Sequence, residues 1–269
     1  MSYQLLRRTF GSLCVALVLL VNLCPIVVGQ ETNLPQAQVP QASALDQADN
    51  VPIPPARTKY MGRTIAQTMS FHGAPWLIRD NREDEERPSE VLKQLELKPG
   101  MTVCDLGCGN GFYTLLMAPQ VAPAGKVLAV DIQQEMLHLL DLRSKSQGID
   151  NVEPVLGTIV DPRLPAGEVD LVLLVDVYHE FSHPEQMLSA LRASLAPGGL
   201  IALLEYREED PNVPIKPLHK MTKRQIMKEY RANGFKLAKQ YDGLPWQHLM
   251  FFEADDDWSP PITSRPQDE

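Results

Sequence analysis

Three short runs of residues carry the chemistry this chain could perform. Gly107, Gly109 and Gly111 alternate with Cys108 and Asn110 directly after the apolar run from Val103 to Leu106, which contains one acid, Asp105. Glycine reaches positive φ without strain and, lacking a Cβ, lets a ligand approach the backbone. If a helix opens after Gly111, its first turn offers free N–H groups to an anionic ligand group. A second acid, Asp131, ends the next apolar run, Lys126 to Asp131, and Ile132 follows it. The third run, Asp176 to Glu180, brings Tyr178, His179 and Glu180 together after another apolar stretch. A histidine titrating near neutral pH suits removal of a proton from a hydroxyl or thiol. The alternative is that His179 caps the following helix or touches only a cofactor. Glu205, Tyr206, His219 and Lys220 read as structural or surface positions. No cluster of metal-ligating side chains stands out in the sequence.

These runs need a scaffold, and the hydrophobic pattern supplies one. Continuous apolar segments at 103–106, 126–131, 151–156, 169–175 and 200–205 read as buried strands of a sheet covered on both faces. Helical patterns at 88–95, 111–120, 135–147 and 184–195 alternate with them. A further helix at 222–233 has Thr222 as N-cap and Gly234 as its stop. Segments 235–241 and 246–252 have no helix between them and pair as an antiparallel hairpin. The alternation predicts an α/β fold: a doubly wound, mainly parallel seven-stranded sheet with a C-terminal antiparallel hairpin and helices on both faces. Residues 60–78 are rich in aromatics and Met; they form either a lid over a pocket or an arm packed on the core. The charged stretch 81–86 reads as solvated.

The glycine turn discriminates between ligands. A dinucleotide site wants G-x-G-x-x-G, whereas position 112 is Phe. Asp105 would repel a pyrophosphate but would hold an ammonium group by a charge-assisted hydrogen bond. Asp131 can take both hydroxyls of a ribose. An ammonium partner, a ribose partner and an adenine slot together describe S-adenosyl-L-methionine. On the same residues the chain resembles the class I S-adenosylmethionine-dependent methyltransferases. The run from Val103 through Gly111 matches that family's first motif. Val130, Asp131 and Ile132 match its second-strand motif, Asp170 to Val175 its fourth strand, and Leu195 to Ala202 its late L-x-P-G-G turn. The resemblance implies that Asp105 and Gly107 to Gly111 hold the methionine part, Asp131 the ribose, and Gly157, Thr158 and Asp176 the adenine. Thr158 departs from the family, where many members carry an acid. A nicotinamide-dependent reductase is disfavoured by Phe112 and by the lack of a Tyr-x-x-x-Lys pair in the expected region.

The whole chain adds context. It has 269 residues, 44% of them hydrophobic and 22% charged, with a net charge of −9, which speaks against a general nucleic-acid binder. Arg7 and Arg8 precede an apolar run from Leu13 to Val21, and Val27, Val28 and Gly29 offer a small-residue exit. That is the pattern of a signal peptide at 1–29, which predicts an exported, periplasmic or secreted protein. An uncleaved membrane anchor is the alternative; Arg7 and Arg8 also resemble part of a twin-arginine signal. Residues 30–58, rich in Gln, Ala and Pro, read as a disordered linker; the catalytic domain as 59–253; residues 254–269 as a flexible tail. Cys104 and Cys108 remain beyond the signal segment and should not pair, because the strand points them apart. The expected partner is a small-molecule methyl acceptor, with no nucleic acid. Because S-adenosylmethionine is made in the cytoplasm, an exported, non-catalytic S-adenosylmethionine-binding module on the same scaffold is the competing reading.

Overall fold

The computed structural model describes residues 53–260. The signal-type segment with Cys14 and Cys24, most of the linker and the end of the tail lie outside the described residues.

Seven strands form one sheet: β3 (Thr102–Leu106), β4 (Lys126–Asp131), β5 (Val152–Leu156), β6 (Val169–Val175), β7 (Leu195–Tyr206), β8 (Phe235–Tyr241) and β9 (Gln247–Ala254). Their spatial order is β5-β4-β3-β6-β7-β9-β8. The first five strands of that order are parallel, while β9 pairs antiparallel with both β7 and β8. The chain winds outward from β3 through β4 to β5, then returns to place β6 on the other side of β3. The crevice between the ends of β3 and β6 is therefore the switch point, where open α/β sheets bind ligands. A two-stranded ribbon, β1 (Lys59–Tyr60) and β2 (Arg63–Thr64), precedes the sheet.

Side-chain alternation along the strands divides the core in two, because successive residues of a strand face opposite sides. Val103, Val127, Leu171 and Leu173 pack under α2 (Pro88–Leu95) and α3 (Phe112–Val121). Ala129 meets Leu137 and Leu140 of α4 (Gln134–Gln147) on the same side. Cys104, Leu128, Val172 and Leu174 face the other side, where α5 (Pro184–Ser194) contributes Leu188 and Leu191 and α6 (Lys223–Ala232) contributes Ile226 and Tyr230. Cys104 and Cys108 are buried free thiols. Thr222 caps α6 by accepting the Gln225 N–H at 3.1 Å. Among the described residues no helix is long and apolar enough to cross a membrane.

Four segments differ from the sequence reading. Residues 81–86 are not simply solvated: they include α1 (Arg82–Glu86), in which Arg82 and Glu86 are buried. Glu86 accepts from Arg79, from Arg82 at 2.5 Å and from the Tyr206 hydroxyl at 2.6 Å, so its charge is compensated inside the fold. The linker is held from Pro54 onward, since the Pro54 carbonyl lies 2.8 Å from His183 Nε2 and the Arg57 N–H donates to Ser182 O at 3.1 Å. The tail is docked as far as Trp258: the Asp255 N–H donates to Gly234 O at 2.8 Å, and Arg192 lies over the Trp258 ring. Finally, β7 starts at Leu195 rather than at 200, because Val169 pairs with Leu195 ahead of a register irregularity.

Candidate active site

The glycine turn is built by sheet geometry. β3 ends at Leu106, and Gly107, Gly109 and Gly111 all take positive φ. The Gly107 and Cys108 N–H groups both donate to the Val130 carbonyl, at 2.8 and 3.0 Å, which pins the turn to β4. A Cβ on Gly107 would lie 2.5 Å from Val177 Cγ2. The Gly109 N–H donates to Asp131 Oδ2 and the Gln133 N–H to Asp131 Oδ1, each at 2.9 Å. Burial raises the Asp131 pKa, against the lowering effect of these backbone donors.

A cavity of about 670 Å³ opens at this switch point, within the range of small-molecule sites. Of the residues singled out from the sequence, Gly107, Gly109, Asp131, Ile132, Thr158, Asp176, His179 and Glu180 line it. Asp176 stands in the left-handed region at φ 52. Its Oδ2 accepts from Gln247 Nε2 at 2.7 Å, and its Oδ1 is buried without a hydrogen-bond partner. Burial, reinforced by Glu86 and Glu205, holds its pKa well above the usual carboxylate range.

Other predicted residues stand behind the wall rather than on it. Asp105 is buried and does not line the cavity; its Oδ2 accepts from the Thr114 hydroxyl at 2.5 Å, and burial lifts its pKa to about 6. A direct ammonium contact from Asp105 is therefore not what the fold presents. Cys108 packs with Leu115, Ala129, Leu137 and Leu140. Gly111 and Gly157 shape the backbone: a Cβ would meet Leu140 Cδ1 at 2.2 Å and Val130 Cγ1 at 2.9 Å respectively. Asn110 donates from Nδ2 to Ala74 O at 2.8 Å and so anchors the N-terminal arm. Thr158 lines the cavity, but its hydroxyl accepts the Asp161 N–H at 2.9 Å and the Val160 N–H at 3.3 Å, so it serves its own turn. Tyr178 is fully buried and donates to Glu229 Oε2 at 2.7 Å, beneath the Arg63 guanidinium. That places it in a packing role, not the catalytic one expected from its neighbours in sequence.

The arm at 60–78 resolves toward the lid alternative. Gln67, Thr68, Met69, Trp76 and Leu77 line the cavity. Gln133 clasps this strap, accepting the Phe71 N–H at 2.9 Å and donating from Nε2 to Met69 O at 2.9 Å. The Met69 N–H also donates to Glu180 Oε1 at 3.2 Å.

The structure adds residues that sequence reasoning set aside. The side chain of His179 is 2% exposed; its Nδ1 lies 2.7 Å from Glu205 Oε2, and its Nε2 lies 3.1 Å from His219 Nδ1. Burial alone would lower the His179 pKa, but Glu205, Glu180 and Asp176 outweigh it and the net shift is upward. Burial and the nearby His179 and Lys216 lower that of His219. Burial raises Glu180 to about 7. His219, Arg82 and Tyr206 also line the cavity. Glu205 was visible only as an acid ending a buried strand, a costly position unless it is paired.

The profile of the methyltransferase-domain family matches residues 97–252, more than half of the chain. The chain belongs to the methyltransferase-domain family. An uncharacterized 37.1 kDa protein in transposon TN4556 of Streptomyces fradiae is 33% identical over 117 residues, which are 44% of this chain and 33% of that protein. A demethylmenaquinone methyltransferase of Symbiobacterium thermophilum is 30% identical over 155 residues, 57% of this chain and 62% of the relative. The chain thus spans a third of the first and less than two thirds of the second. A SAM-dependent methyltransferase from Aquifex aeolicus superposes with a TM-score of 0.65 at 25% identity, over 69% of this chain and 98% of that one. The cofactor of this methyltransferase-family chain is S-adenosyl-L-methionine. The site fits it on two counts: Gly107 and Gly109 leave the wall bare of side chains, and Asp131 stands at the end of β4 facing the cavity.

Proposed function

We propose that this methyltransferase-family chain moves a methyl group to a small molecule held in the same cavity as the cofactor. One observation supports this most: a single cavity is lined both by the cofactor-type residues Gly107, Gly109 and Asp131 and by His179, Glu180 and His219. The bound cofactor supplies an electrophilic methyl group; the protein supplies position and exclusion of water. Asp131 is offered to the ribose hydroxyls and the turn at Asp176 to the adenine. The strap, with Met69, Trp76 and Leu77, shields the cavity from bulk water. His179, Glu180 and His219 form the acceptor side of the cavity, where a carboxylate and a hydrogen-bonded imidazole pair stand ready to take a proton from the acceptor. Demethylmenaquinone, the small molecule in one relative's name, supports the class of acceptor but not its identity. We further propose export of the domain, on the basis of Arg7, Arg8 and the apolar run from Leu13 to Val21; N-terminal sequencing of the secreted protein checks it.

The test is calorimetric titration of S-adenosyl-L-methionine into the full chain and into Asp131→Asn. The Asn amide would face the Gly109 or Gln133 N–H donor and lose a charge-assisted ribose bond. Loss of one such bond costs about 1.5–3 kcal/mol, so affinity should fall roughly 10- to 150-fold. Affinity within threefold of the unaltered chain, with the fold intact by circular dichroism, would remove Asp131 from the site. No binding by the folded unaltered chain would remove the enzyme reading.

A further inference from the structure

We propose that His179 Nε2, His219 Nδ1 and Glu180 Oε1 bind one divalent transition-metal ion of the zinc class, with a coordination position open to the cavity. The three side chains come from two places in the chain. His179 and Glu180 lie on the 3-10 turn Tyr178–Glu180 after β6, and His219 on the turn Pro217–His219 in the loop after β7. Their ligand atoms fall within 4.8 Å of one another. The imidazole nitrogens are 3.1 Å apart, and Glu180 Oε1 is 4.0 Å from each. The nearest point equidistant from the three atoms lies about 2.2 Å from each, at the long end of zinc–oxygen bonds and about 0.1 Å beyond zinc–nitrogen ones. Small side-chain rotations are enough to reach a three-coordinate protein site of the kind that leaves a fourth position for water or substrate.

Two further features match how such ions are held. His179 Nδ1 lies 2.7 Å from Glu205 Oε2, and Glu205 is fully buried. A carboxylate on the far nitrogen of a ligating histidine fixes its tautomer and orientation, presenting Nε2 as a lone pair. The His179 N–H also reaches Glu205 Oε1 at 3.2 Å, so one carboxylate braces both backbone and ring. The second feature is charge. Among the described residues, Glu180 has no Lys or Arg within ion-pair distance; its Oε1 accepts the Met69 N–H at 3.2 Å, and the cationic side chains nearest to it are the two imidazoles at 4.0 Å. In the metal-free form a proton bridges the two rings, and the cation takes its place. Two nitrogens and one carboxylate oxygen suit zinc, cobalt or iron in the divalent state better than magnesium or calcium, which prefer all-oxygen sites.

The open position faces the cavity wall that all three residues share. A hydroxyl or thiol that takes this position loses its proton to solvent more readily, as water does on such ions. This use of the ion rests on the methyl-transfer reading; the binding of the ion does not.

Cobalt(II) chloride is titrated into the full chain and followed by visible d–d absorption, with S-adenosyl-L-methionine affinity measured on the same samples. The expected result is one equivalent bound. His219→Ala and Glu180→Gln should each weaken binding by at least about 30-fold, and Glu205→Gln by about tenfold. His138→Ala, on the exposed face of α4, should leave it unchanged. His219 is a third exposed, so its variant retains the fold even if Glu205→Gln does not. Failure to bind one equivalent, or binding that His219→Ala leaves intact, overturns the proposal. Cobalt bound through these residues by a chain that does not take S-adenosyl-L-methionine would support the ion site while removing the methyl-transfer reading. The reverse pattern would remove the ion site and leave that reading standing.

Discussion

Replacing Asp105 by Asn should change how the stability of this protein depends on pH. Asp105 sits at the end of β3, 3% exposed, with the Thr114 hydroxyl on Oδ2. Burial raises its pKa from 3.8 to about 6; Thr114 and Arg82 pull the other way, and Asp131 adds to the rise. The sign follows from proton counting. Between those two values the folded chain holds a proton that the unfolded chain has released, so stability falls as pH rises. Below the lower value both states are protonated; above the upper one both are ionised and the loss is complete. The shift corresponds to about 3 kcal/mol in full, and roughly 2 kcal/mol of that falls between pH 4 and pH 7. Asn cannot ionise, so the stability of Asp105→Asn relative to the unaltered chain should grow by roughly 2 kcal/mol across that interval. Urea unfolding at several pH values measures it, and any constant effect of the substitution drops out of the comparison. A difference that stays constant within about 0.5 kcal/mol, or that shrinks as pH rises, would show that Asp105 is not held as the buried environment requires.

Three other perturbations probe the frame around the cavity. Gly107→Ala places a Cβ 2.5 Å from Val177 Cγ2 at a positive φ, and should cost about 2–3 kcal/mol in urea unfolding. Glu86→Ala leaves Arg79, Arg82 and Tyr206 without their shared carboxylate, and should cost about 3–5 kcal/mol in the same assay. Gln133→Ala removes both hydrogen bonds that clasp the strap. Amide exchange at Phe71 should then speed up by roughly 10- to 30-fold, about 1–2 kcal/mol of local protection, while β3 amides exchange as before; unchanged exchange at Phe71 would mean that the clasp does not hold the strap.

The cofactor half of the site was legible because its signals are local. A buried strand, a run of alternating glycines and an acid at the next strand end lie within about thirty residues, and each has a backbone reason. The sheet order then puts Gly107 and Asp131 on one cavity without further information. Asp105 shows the limit of this reading: the motif marks the position, but the α3 residue Thr114 engages its carboxylate and keeps it behind the wall. Tyr178 shows it again. Adjacent residues of a 3-10 turn point in different directions, so Tyr178 turns to Glu229 while His179 turns to Glu205. Residues 81–86 look solvated as a string of charges, yet Glu86 finds its partners in Arg82, four residues away, and in Tyr206, 120 residues away.

By itself, then, the sequence determined the alternating strands and helices, the glycine turn, the cofactor and the C-terminal antiparallel hairpin. These follow from periodicity and backbone conformation, which act over a few residues. Only the tertiary structure decided that Glu205 meets His179, that His219 closes on both His179 and Glu180, and that residues 67–78 strap the cavity. Those meetings join residues 26 to 111 positions apart. They depend on β6 lying beside β7 and on where the loop after β7 returns, and side-chain identity along the chain does not encode either one.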